Sequence, residues 1–67
     1  MTLRQALKEG KAEQLELDVY LLADGRIVKY DRYWGPRQNR NMWVDENGNA
    51  YQNFSDIYYR VNAYYYA

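Results

Sequence analysis

The chain has 67 residues, no cysteine, no histidine, and nine Lys/Arg against nine Asp/Glu, for a formal net charge of zero. That length reads as a single domain, residues 1–67, of marginal stability. The composition excludes a disulfide framework, the usual zinc, iron and copper ligand sets, and any Ser–His–Asp or Cys–His catalytic arrangement.

Thr2 is placed to cap a helix in which Leu3, Ala6 and Leu7 form a short apolar stripe, with Gly10 as its stop. Leu15, Leu17, Val19 and Leu21 then alternate with polar residues, the pattern of a strand with one buried face. Asp24-Gly25 suits a two-residue hairpin turn. The returning strand over 27–34 then pairs Leu21 with Val28, Val19 with Tyr30, Leu17 with Arg32 and Leu15 with Trp34. That register sets Asp18 against Asp31, an unfavourable pair unless a bulge shifts it or both carboxylates sit in water. Pro36 ends the ladder in a loop over 35–40. A third strand is predicted over 42–44, a second turn over 45–49 and a fourth strand over 50–54.

The tail, residues 56–66, reads as a strand by alternation. Ile57, Tyr59, Val61, Ala63 and Tyr65 would face the core, and Tyr58, Arg60, Asn62, Tyr64 and Tyr66 would face outward. The alternative is a helix capped by Ser55 with Ile57, Val61 and Tyr64 as a narrow stripe. The predicted fold is therefore α+β: a short N-terminal helix packed on a twisted antiparallel sheet of four or five strands, with the other sheet face partly open.

Few constellations carry chemistry. Asp18 and Asp31 are the only carboxylate pair that the register suggests for acid–base work, and exposed acids at a register irregularity explain them better. Asp45-Glu46-Asn47-Gly48-Asn49 only faintly resembles a calcium loop, because its sixth and twelfth positions are Ala50 and Asp56. Asn53-Phe54-Ser55 matches a glycosylation triplet, which has no use without a secretory signal. The chain is expected to be non-enzymatic, without cofactor or metal.

Two surfaces compete for a binding role. Nine tyrosines, three of them closing the chain as residues 64–66, supply rings in excess of what a small core can hide. Tyr and Arg are enriched at interface hot spots, so Tyr58, Arg60, Asn62, Tyr64 and Tyr66 are the candidate protein-binding residues. Arg32, Arg37, Arg40 and Trp43 are the candidate nucleic-acid contacts, since cations with stacking rings suit a single strand. Zero net charge weakens that second reading.

In size and composition the chain is similar to the short accessory proteins of phages and mobile elements that bind and block a host protein. The leading expectation is thus a cytoplasmic protein-binding module, an inhibitor of a host or defence protein. The alternative is a single-stranded DNA or RNA binder. A homodimer is also expected, and no apolar run is long enough for a membrane span.

Overall fold

The helix predicted at the N-terminus forms over Leu3–Lys8 (α1). Thr2 Oγ1 accepts from the backbone N–H of Gln5 at 3.1 Å. At the other end Gly10 adopts φ 74°. Its N–H donates to Leu7 and the next N–H, of Lys11, to Ala6, at 3.3 and 2.8 Å. This paired closure satisfies the last helical carbonyls and needs a residue that tolerates positive φ.

In this computed structural model, which describes residues 1–65, six strands follow. They are β1 (Ala12–Glu16), β2 (Val19–Leu22), β3 (Ile27–Trp34), β4 (Arg40–Asp45), β5 (Asn49–Tyr51) and β6 (Tyr64–Tyr65). A second helix, α2 (Phe54–Tyr59), sits between β5 and β6. The sheet is an antiparallel meander in sequence order, so every connection joins spatial neighbours. The α+β class holds, with more strands than expected from the sequence.

Two differences from the predicted layout have clear physical causes. The run 15–21 is not one strand, because Asp18 takes φ 61° and turns the chain between β1 and β2. Leu17, on that turn, is 83% exposed. The β2–β3 connection is also a three-residue turn, not a two-residue one. Leu22 accepts from Gly25 N–H and donates to Arg26, with Gly25 at φ 93° in the left-handed position that such turns require.

One extra turn residue shifts the register by one and exchanges the faces. Tyr20 pairs with Val28, Leu21 with Ile27 and Val19 with Lys29. Tyr20 and Leu22 are therefore buried, while Val19 and Leu21 are half-buried on the opposite side. Asp18 and Asp31 do not meet.

The core lies between one sheet face and the two helices. It combines Ala6, Ala12, Tyr20, Leu22, Val28, Trp43, Tyr51, Phe54 and Ile57, with Met1, Leu3, Tyr30 and Tyr58 packed around it. Trp43 is its hub. Its ring centroid lies 5.6 Å from Tyr20, 5.1 Å from Tyr30 and 5.3 Å from Phe54, in tilted and edge-on arrangements that suit aromatic quadrupoles.

The tail corrects the predicted strand over 56–66. Phe54, Ile57 and Tyr58 recur at the spacing of one helical face and pack toward Trp43 and Tyr51, so residues 54–59 are helical. Arg60 ends the helix in the left-handed region at φ 59°, and only Tyr64 and Tyr65 return to the sheet, beside β5. Ile57 is fully buried, whereas Tyr59 is more than half exposed. Ile57→Ala should therefore cost about 2–5 kcal/mol. Tyr59→Ala should stay within about 0.5 kcal/mol. Thermal melts of the two variants check the assignment, and equal losses would contradict it.

Candidate interaction surface

The residues predicted for protein binding are dispersed by the helical tail. Tyr58 lies on α2 with its ring 6.2 Å from Phe54 and 5.1 Å from Tyr59, and it joins the rim of the core. Arg60 turns to Asp24, at 3.1 Å. Asn62 is exposed in a left-handed conformation. Tyr64 stands at the β6 edge with the Arg40 guanidinium 6.0 Å above its ring. Tyr66 lies outside the described residues. The common outward face expected of a strand is thus absent.

The residues predicted for nucleic-acid contact are also divided. Trp43 is only 8% exposed, and its ring is enclosed by Tyr20, Tyr30 and Phe54, so it offers no free face for stacking on a base. Arg32, Arg37 and Arg40 do share the β3–β4 hairpin. Arg32, however, bridges to the Asp18 carboxylate and lies over the Tyr30 ring on the core side. That carboxylate raises the Arg32 pKa above its ordinary value through the hydrogen bond and then through its charge. Arg40 turns the other way, to Tyr64. Arg37, in the loop, makes no ion pair among the described residues.

These placements leave a coherent feature at the hairpin tip. Tyr33 is 73% exposed. It sits where the β3–β4 register shifts between Asp31 and Trp34, with its N–H donated to Asp31 Oδ1 at 2.8 Å. Gly35 follows at φ 98°, and Pro36, Arg37, Asn39 and Arg40 line a shallow depression beyond it. A fixed bulge, an exposed ring and two arginines thus occupy one end of the molecule.

The opposite end is acidic. The β2–β3 and β4–β5 turns lie side by side there and line one cleft with Asp24, Arg26, Asp45, Glu46 and Asn47. Asp45 Oδ1 accepts from the N–H groups of Asn47 and Asn49 at 2.9 and 3.0 Å, so this loop is an Asp-stabilised turn. Glu46 Oε1 accepts from Ile27 N–H at 2.8 Å. No group of three or more acidic side chains among the described residues could hold a metal ion.

Arg26 ties this end together, a role that the sequence pattern did not reveal. Its Nη1 and Nη2 donate to the carbonyls of Ile57 and Tyr58 at 2.8 and 3.0 Å, closing the carbonyl end of α2. Its Nε donates to Asp24 Oδ2 at 2.8 Å, and its own N–H to Asp24 Oδ1 at 3.1 Å. Desolvation pushes the Asp24 carboxyl up, but the hydrogen bonds and charge of Arg26, with a further bond from Arg60, outweigh it and hold the pKa below its ordinary value.

No family model, no curated protein and no solved structure matches the chain. Among the described residues no helix is long and apolar enough to cross a membrane.

The latch makes two measurable demands. Arg26→Ala strips a charged donor from two helix carbonyls and should cost about 1.5–3 kcal/mol. Arg26→Lys should recover only part, because an ammonium lacks the planar fork. For Asp24, a folded pKa below the unfolded value of about 3.9 means that its contribution is complete above that pH. It fades as pH falls through the folded pKa. Acid titration of stability should show this loss in the wild type and a smaller one in Asp24→Asn.

Proposed function

We propose that the chain is a small non-enzymatic protein-binding module that meets its partner through the tip of the β3–β4 hairpin, with the β6 edge as its rim. The observation that carries this reading is the surplus of aromatic surface. The core is complete without Tyr33, Tyr59, Tyr64 and Tyr65, and no buried side-chain polar atom among the described residues lacks a partner. Tyr33 and the arginines beside it have the amphipathic character of interface hot spots.

A rigid tip suits recognition, because little ordering entropy is lost when a pre-formed loop docks. Asp31 fixes the bulge that presents Tyr33, and Arg40 is held against Tyr64. The size and cysteine-free composition are similar to those of phage and mobile-element accessory proteins. On that basis we infer action in the cytoplasm by covering a surface of a host or defence protein and so inhibiting it.

The second reading, a single-stranded DNA or RNA binder, is favoured by one observation: Arg37, on the same hairpin as the exposed Tyr33, makes no ion pair among the described residues. Against it, Arg32 is neutralised by Asp18 and Trp43 is enclosed.

The test compares wild-type protein with Tyr33→Ala and Arg37→Ala as baits in extract of the native host, and then in titration against the purified partner. Each change should weaken binding by about 1–2 kcal/mol. Each should leave the melting temperature nearly unchanged, as expected for surface positions. A partner held equally by all three proteins would move the contact elsewhere. Single-stranded DNA should bind weakly or not at all at physiological salt. A submicromolar affinity with a log–log salt slope of about −0.7 per phosphate contacted would instead establish the nucleic-acid reading.

A further inference from the structure

The sheet face away from the helices is only partly closed. At one end Met42 and Ala50 are buried beneath it. Toward the middle, Val19, Ile27, Val28, Lys29 and Val44 line an open depression with Asp45 and Glu46 at its end, and Leu21 is half-buried beside Ile27. By register, Lys29 lies between Val19 and Val44, and Asp31 lies beside Met42 two residues further along β3. Lys29 and Asp31 therefore project from the same face, side by side along one strand.

Neither charge is used up among the described residues. Lys29 makes no ion pair among the described residues. Asp31 accepts at Oδ1 from Tyr33 N–H, and its Oδ2 has no partner among the described residues. Val19 and Val44 flank Lys29 across the sheet, and neither Asp45 nor Glu46 in the same depression forms an ion pair with it, so covering this face calls for an anion opposite the lysine.

We propose that this face is covered by a second copy of the chain in a two-fold, face-to-face dimer whose axis crosses β3 at Tyr30. A two-fold axis lying in the interface and running across the strands reverses the strand direction. Lys29 of one copy then stands over Asp31 of the other, and the same contact repeats with the roles exchanged, as an isologous interface requires. Stacked sheets lie about 10 Å apart, a gap that an extended lysine and an aspartate span together.

Size supports the same occupant. The molecule measures 35 × 23 × 18 Å. Its two longer dimensions enclose about 800 Å², so one face can at most supply what each partner contributes to a standard stable interface. The dimer contacts lie on the sheet face and not at Tyr33 or Arg37, and Lys29→Glu leaves the Asp31–Tyr33 bond of the tip in place, so self-association is read apart from binding of a foreign partner.

The test needs only this chain. Sedimentation equilibrium at tens of micromolar should give twice the 8.1 kDa chain mass. Lys29→Glu sets like charges together at both contacts, as does Asp31→Lys, and each should weaken self-association at least about tenfold. Circular dichroism and melting first establish that each variant folds. The decisive measurement mixes the two variants: their heterodimer has opposite charges at both contacts and should form where neither variant pairs with itself. Should Asp31→Lys fail to fold, Asp31→Asn serves instead: it weakens self-association alone and recovers part of it when mixed with Lys29→Glu, because one of the two contacts is then an opposite-charge pair. A wild-type monomer at millimolar concentration would overturn the proposal. So would a dimer indifferent to these substitutions, or mixed variants that remain monomeric.

Discussion

The indole of Trp43 is the contact on which the remaining structure depends. It stands on β4, and β2, β3 and α2 each bring a ring against it through Tyr20, Tyr30 and Phe54. A chain of this size without disulfide or metal must draw its stability from a few large apolar groups, and aromatic side chains bury the most area per residue. The cluster also dictates topology. Phe54 reaches Trp43 only if the chain leaves β5 after three residues and turns into α2, which leaves β6 as a short return along the far edge.

Charge then organises what the rings hold together. Arg26 joins the β2–β3 turn to the last carbonyls of α2, and Asp24 holds Arg26 and Arg60 in place. The net charge of zero conceals a polarity of the fold. The turns at one end gather Asp24, Asp45 and Glu46, while the hairpin at the other end carries Arg37 and Arg40. An arrangement of this kind orients an approaching partner more than it adds to affinity.

The two sheet faces differ in what they leave unsatisfied. The helix-covered face has its rings and polar atoms partnered. The other face keeps a lysine and an aspartate on one strand among half-buried aliphatic side chains, and a hairpin tip with an exposed tyrosine beyond it. The fold thus leaves a broad face and a narrow tip open.

The residue order alone was enough for α1, because Thr2, the Leu3–Ala6–Leu7 stripe and Gly10 act within a few residues of one another. The same holds for the strand character of 27–34, the Asp24-Gly25 and Asn47-Gly48 turns, the α+β class and the excess of tyrosine. Register and tail were decided in three dimensions. A turn longer by one residue exchanged Leu21 for Tyr20 in the core, and the left-handed Asp18 split an alternating run that reads as one strand. Tyr58 and Tyr59 satisfy strand alternation and helical spacing alike, and the choice fell to Trp43, whose ring needed Phe54 beside it. Asp18 with Arg32 and Arg26 with the carbonyls of α2 join residues 14 or more positions apart, so the partners became legible only once the sheet had set their distance.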